Sequence, residues 1–256
     1  MERPELDLLE ISDVSVRFGG VTALDGVSLT ARGGRVTGLI GPNGAGKTTL
    51  FNVISGLQPT HRGTVRFDGR NLRNVSPSGR SRAGIGRTFQ RLEAFGSLTV
   101  RENVLVAIEI RRGRGGRLGL GRWMRADAQR AEADRLLDLV GIGQYAQRRA
   151  DAVPTGVARL LEVARSLATD PRLLLLDEPS SGLVETETER FGGLLRTLAG
   201  AGRAIVMVEH DLGLVMSTCD YIYVLDFGRV IAAGTPAEIH ADPQVQQAYL
   251  GTLEVS

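Results

Sequence analysis

Cysteine is almost missing from this chain: Cys219 is the only one in 256 residues. A lone thiol excludes an internal disulfide and fits a reducing compartment. Set in a mixed stretch after Thr218, it reads as a buried, inert side chain rather than a nucleophile. Aromatic residues are scarce at 5%, so extended stacking surfaces are not expected. An excess of one charge is also lacking. The formal net charge is +2, which removes any general electrostatic argument for nucleic-acid binding. Long apolar runs are absent as well. Stretches such as Leu173–Leu176 and Ala204–Val208 fall far short of the ~20 residues a membrane helix needs. Met1–Glu10 is acidic and shows no basic flank followed by an apolar run, so no signal peptide is expected. His61 and His240 have no companions at metal-ligand spacing. The expectation is a chain that is soluble by itself.

Glycine, in contrast, is plentiful at 33 residues, which predicts tight turns. Short β-branched apolar runs alternate with helical patterns, the signature of an α/β chain with a largely parallel sheet. Strands are expected at Leu8–Phe18 and Val27–Leu29 around a Gly19-Gly20 turn, then at Arg35–Ile40, Thr64–Phe67, Ile85–Phe89, Leu173–Leu176, Ala204–Val208 and Tyr221–Leu225. Helices are expected over Lys47–Ser55, stopping at Gly56, over Val100–Ile110 and Met124–Val140, and from Gly156 to about Ala168. Asp242-Pro243 reads as a further helix start. The basic stretch from Arg111 to Arg125, which includes Trp123, reads as a solvated turn between helices, with contact to anionic lipid headgroups as the alternative.

Two motifs carry chemistry. Gly41, Pro42, Asn43, Gly44, Ala45, Gly46, Lys47 and Thr48 match G-x-x-x-x-G-K-S/T between a strand and a helix, and Thr49 extends the run onto that helix. Glycines let backbone N–H groups close around phosphate oxygens, and the helix N-terminus adds positive potential. Lys47 would reach β- and γ-phosphates, and the Thr48 hydroxyl would bind Mg2+. Leu173-Leu174-Leu175-Leu176-Asp177-Glu178 is an apolar strand ending in two carboxylates. Asp177 at its carboxyl end would sit beside Mg2+, and Glu178 would orient or deprotonate an attacking water.

With these residues in their order, nearly the whole chain resembles the ABC ATPase family. The resemblance implies a RecA-like P-loop NTPase core with an antiparallel β portion and an inserted α-helical subdomain, α/β in class. A single such domain would span residues 1–256. Residues 1–92 would hold the β portion and P-loop core, 93–169 the helical subdomain, and 170–256 the rest of the core and the C-terminal segment. The same resemblance implies roles for four further features. Phe18 matches the aromatic that stacks on adenine. Gln90 matches the glutamine that touches Mg2+ and the water and senses a transmembrane partner. His210 matches the histidine that contacts the γ-phosphate. Pro154, Thr155 and Gly156 fall in a degenerate signature, Val153–Val157, that would face ATP held by a partner subunit. Serine and glutamine of the usual signature are gone, and Val184 stands where an aspartate is usual. Both departures concern contacts across a dimer. The chain's own phosphate loop, Asp177 and Glu178 are intact.

Val16–Leu24, Gly86–Gln90, Leu98–Val104, Gly234–Pro236 and the ending around Ala248–Gly251 are similar to the ATPases of branched-chain amino-acid importers, of the LivG type. That likeness implies ATP and Mg2+ as ligands and a place at the cytoplasmic membrane face. Its implied partners are a sister ABC ATPase, two transmembrane permease subunits and an extracytoplasmic solute-binding protein, with no nucleic acid. Two alternatives stand beside it: a non-transport ABC ATPase of translation or DNA repair, and a weakly hydrolysing regulatory subunit.

Overall fold

Residues 7–89, 93–112 and 122–249 are described by a computed structural model, the side chains of 122–125, 248 and 249 excepted. In chain order the elements are β1 (Asp7–Phe18), β2 (Val21–Arg32), β3 (Val36–Ile40), α1 (Lys47–Ser55), β4 (Arg62–Phe67), β5 (Arg70–Asn71), α2 (Pro77–Ala83) and β6 (Ile85–Arg87). Then follow α3 (Val100–Arg112), α4 (Arg122–Leu139), α5 (Thr155–Leu167), β7 (Leu173–Asp177), α6 (Glu185–Gly200) and β8 (Ala204–Val208). The described chain ends with α7 (Leu212–Thr218), β9 (Tyr221–Asp226), β10 (Arg229–Gly234), α8 (Pro236–Ala241) and α9 (Pro243–Tyr249).

The four leucines of β7 show how the layers are built. Alternate side chains on a strand face opposite sides of its sheet. Leu173 and Leu175 accordingly join one core, and Leu174 and Leu176 the other. A strand covered on both faces reads as an unbroken apolar run, as strands of buried parallel sheets do. The central sheet has the order β10-β9-β3-β8-β7-β6, parallel except where β10 returns antiparallel on β9. One face packs against α1 and a second, antiparallel sheet of order β2-β1-β4-β5. Helices α3 to α7 contribute apolar residues to the core on the other face, and α3, α4 and α5 pack on one another. The expected α/β class with an antiparallel β portion describes this arrangement.

Helix α1 carries the phosphate loop at its start, and its end is fastened by a buried cation. Arg80 of α2 donates to the carbonyls of Val53 (2.6 Å) and Ile54 (2.9 Å) in the last turn of α1, and to Leu72 (2.7 Å) and Val75 (3.0 Å). A cation at a helix C-terminus also meets the negative end of its dipole. Gly56 ends α1 at φ 82°, and a Cβ there would lie 2.8 Å from Arg80 Nε.

Cys219 is buried, and burial pushes its thiol up to about 12, in keeping with an inert side chain. The basic stretch between α3 and α4 lies outside the described residues at 113–121. Six elements without a counterpart in the sequence reading are β5, α2, α6, α7, β10 and α8. In α6, Gly192 obscures the helical pattern for a packing reason: a Cβ there would lie 2.7 Å from Thr218 Oγ1 and 3.2 Å from Leu214 Cδ1 of α7. Helix α6 also begins without a side-chain acceptor, since its N-cap is Val184; only Glu187 closes the turn, accepting from the Val184 N–H at 3.1 Å.

Replacing Arg80 by methionine leaves four carbonyls without their buried donor. The variant is expected to lose on the order of 3 kcal/mol of unfolding free energy in urea titration, because unpaired buried acceptors keep their full desolvation penalty.

Candidate functional site

The loop between β3 and α1 is a backbone cradle that admits no other residue at its ends. Gly41 adopts φ 153°, and a Cβ there would lie 2.0 Å from the Leu225 carbonyl oxygen. Gly46 adopts φ 104°, and its Cβ would meet the Ala23 carbonyl at 2.6 Å. The loop is braced from outside, where Gly228 N–H donates to Ala45 O (3.0 Å) and Asp25 N–H donates to Gly228 O (2.8 Å). Gly46 is also the N-cap of α1 and offers no side-chain acceptor to the first turn. The leading N–H groups of that turn therefore suit an anion. Lys47 is buried and folds back over the loop, donating from Nζ to the carbonyls of Gly41 and of Pro42, the latter at 2.9 Å. Burial lowers its pKa, while Glu178 and Asp177 pull it back up.

The acidic edge lies on the same side of the sheet because of strand register. Leu39 of β3 pairs with Val208 of β8, and Val208 pairs with Asp177 of β7. Two strand spacings separate the phosphate loop's strand from the acidic one, about 10 Å. Asp177 is buried; its N–H donates to Thr88 Oγ1 (3.1 Å), and its Oδ2 lies 3.4 Å from Arg87 Nη2. Burial raises the Asp177 carboxyl above its ordinary pKa, and Arg87 opposes the rise. Glu178 turns the chain at φ 49°, a left-handed conformation that costs a side-chain-bearing residue about 1 kcal/mol. Its N–H donates to Val208 O at 2.9 Å, and its Oε1 lies 3.2 Å from His210 Nε2. A polar cavity of about 210 Å³ opens between Glu178, His210 and the loop, and Asp177 stands behind it, off its lining.

The cavity brings together Asn43, Gly44, Ala45, Gly46, Lys47, Thr48, Thr49, Glu178 and His210. Gly41 and Pro42 stand behind it as acceptors for Lys47. Phe18 does not line it; the side chain is half exposed at the end of β1, opposite Val21 across the turn. Pro154 and Thr155 are exposed at the start of α5 and also lie outside its lining. Gly156 packs instead on the segment after β7, where a Cβ would lie 2.7 Å from Gly182 O. Gln90 lies outside the described residues.

Three residues without a role in the sequence reading also hold the site. Thr88 and Arg87 anchor Asp177 as described above. Glu209, buried after β8, accepts from the N–H groups of Ser180 (2.8 Å) and His210 (3.2 Å), tying the turn after Glu178 to the histidine. The available signal for Thr88 and Arg87 was their place in the string Arg87-Thr88-Phe89-Gln90. For Glu209 it was an acid closing an apolar strand.

Comparison with known proteins gives concordant results. The family model described as ABC transporter matches residues 24–181, and one described as Branched-chain amino acid ATP-binding cassette transporter matches residues 229–254. The chain is 38% identical to the high-affinity branched-chain amino acid transport ATP-binding protein BraF of Pseudomonas aeruginosa, over 98% of this chain and 99% of that protein. It is 39% identical to LivG of Salmonella typhimurium, over 95% of this chain and 98% of that one. Among solved structures, a nucleotide-free ATP-binding cassette from an ABC transporter superimposes with TM-score 0.83 at 30% identity, covering 95% of this chain and 99% of that one. The ADP conformation of such a cassette gives 0.82 at 30% identity, covering 96% and 99%.

An alanine at Gly46 drives its Cβ into the Ala23 carbonyl and distorts the cradle. Fluorescent-nucleotide titration of Gly46→Ala is expected to show binding weakened by about tenfold or more, roughly 1.4 kcal/mol, with the far-UV circular dichroism of the parent retained.

Proposed function

This chain belongs to the ABC transporter family of ATPases, and on that footing we propose that it powers uptake of branched-chain amino acids, or a related small solute, through partner permeases. The observation that carries the hydrolytic part of the proposal is the Glu178–His210 pair facing the phosphate loop across one cavity, and the solute class is supported by the likeness to branched-chain amino acid transport ATP-binding proteins. A hydrolysing site needs a base or water-orienting group opposite a phosphate cradle, and a purely regulatory nucleotide site does not.

In this reading the triphosphate lies along the N–H groups of residues 43–48. The Lys47 ammonium leaves the carbonyls of Gly41 and Pro42 for the β- and γ-phosphate oxygens. Phe18 stacks on the base. Glu178 orients the attacking water or takes its proton, and His210 holds the Glu178 carboxylate while reaching the γ-phosphate. Gln90, outside the described residues, keeps the role the resemblance implies, contact with Mg2+ and the water. Thr48 and Asp177 fit Mg2+ by donor chemistry, being hard oxygen ligands. Among the described residues no cluster of three or more His, Cys, Asp or Glu forms a cage, which suits an ion held by few protein ligands together with substrate phosphates. Bound there, Mg2+ would neutralise charge on the phosphate oxygens.

The partners proposed are two transmembrane permease subunits, an extracytoplasmic solute-binding protein and a sister ATPase whose signature completes this site. The chain would work at the cytoplasmic membrane face. No described helix is long and apolar enough to cross a membrane. A groove of about 410 Å³ supports a docked partner segment: Phe89, Leu57 and Ile110 line it, the last two exposed. Among the described residues, Arg87 Nε, Arg165 Nε and Ser166 Oγ on the same lining are buried polar atoms with no hydrogen-bond partner. The non-transport reading is not favoured, since the similar proteins named above are transport ATP-binding proteins.

Glu178→Gln removes the base and keeps the shape. With the partner subunits present, ATP turnover is expected to fall by about a hundredfold or more while nucleotide affinity stays within about threefold. A wild-type rate no faster than that of the variant contradicts the hydrolysing role.

A further inference from the structure

We propose that Arg87 is a positioning residue that sets the spacing between the two Mg2+ ligands of the ATP site, Thr48 on α1 and Asp177 on β7. The inference rests on the ATP-site reading above and concerns a side chain to which neither motif assigns a task.

The guanidinium is a fork between two elements. Nη1 donates to Asn52 Oδ1 (2.7 Å) and Ser55 Oγ (2.8 Å), both on α1. Nη2 lies 3.4 Å from Asp177 Oδ2 at the end of β7. Thr48, Asn52 and Ser55 stand at i, i+4 and i+7, so they share one stripe of the helix. The stripe that offers the Thr48 hydroxyl at its top is therefore gripped by Arg87 one and two turns below.

The fork has little freedom. The guanidinium carbon lies 4.9 Å from the Phe89 ring centre and 5.6 Å from that of Phe51, within the range where an arginine is attracted to an aromatic face. The Arg87 side chain is 6% exposed and the Asp177 side chain 2%. A planar, permanently charged fork suits this geometry better than a point-charge ammonium on a flexible stem. Burying such a cation beside a single carboxylate is a poor route to stability, because desolvation offsets the Coulomb gain. Arranging a metal ligand is the use that fits, as outer-shell partners of ligating carboxylates do.

The test compares the wild-type chain with Arg87→Met, Arg87→Lys and Asn52→Ala. A fluorescent ATP analogue is titrated over a range of Mg2+ concentrations and again in EDTA, and Mn2+ binding to the nucleotide-loaded chain is read by electron paramagnetic resonance. In Arg87→Met the Mg2+ needed for half-maximal tightening of nucleotide binding is expected to rise about tenfold or more, with affinity in EDTA unchanged. Arg87→Lys is expected to recover part of the loss. Asn52→Ala, which removes one of the two α1 contacts, leaves the one to Ser55 and keeps the charge, is expected to shift the same way by less, and it keeps the test open if Arg87→Met fails to fold. Wild-type metal dependence in folded Arg87→Met or in Asn52→Ala overturns the proposal, as does an equal loss in EDTA. A wild-type chain that binds no nucleotide would overturn the ATP-site reading and this inference with it.

Discussion

The parallel register of β3, β8 and β7 is the constraint on which the rest of the structure depends. It levels the carboxyl ends of three strands, so the phosphate loop after β3 and the acidic end of β7 lie at one edge of the sheet. Everything around the register serves to hold it. One apolar layer seats the antiparallel sheet and α1 on one face of the central sheet, and the helices after β6 fill the other. The loop at the end of β3 is pinned by the backbone bond from Gly228 N–H to Ala45 O and by the close approach of Ala23. At the end of β7 the chain accepts a left-handed residue, Glu178, and that turn aims its carboxylate at His210. A site in an open α/β sheet belongs at this edge, where strand ends and helix N-termini converge.

Much of this was legible in the sequence for physical reasons. The phosphate loop and α1 were readable because a glycine-rich turn followed by Lys and Thr has few other uses, and Gly56 stops the helix where expected. β7 was readable because a short run of four leucines bounded by Pro171 and Pro179 has the length and flanks of a strand buried on both faces. The stretch Glu185–Gly200 hid its helix, since Gly192 gives the intimate contact with α7 at the expense of helical propensity, and Val184 supplies no capping signal. β10 and α8 were missed for a different reason. β10 alternates little, with five intermediate or exposed residues before a buried Gly234, and α8 spans only Pro236–Ala241. Arg87 could not have been assigned its contacts, because its partners are 32, 35 and 90 residues away. Proximity of that kind is a property of the fold rather than of any local string.

Departures from the family pattern cluster on one side of the molecule. Pro154 precedes α5 without a side-chain cap, and Val184 precedes α6 with no acceptor to offer. Gly156 is buried against Gly182, so these two helix starts form one packed unit. The cavity lined by the phosphate loop, Glu178 and His210 carries none of these changes. In the reading proposed here, the chain keeps its own hydrolytic groups and offers its partner an altered signature. That asymmetry favours a sister ATPase over a second copy of the same chain.

The most direct measurement is of what the chain works with. Tagged in its native cell and purified in mild detergent, it is predicted to bring down two polytopic membrane subunits and a second ATP-binding cassette, identified by mass spectrometry. Recovery of ribosomal or DNA-repair proteins alone, with no membrane subunit, would contradict the transport role while leaving the ATP site in place.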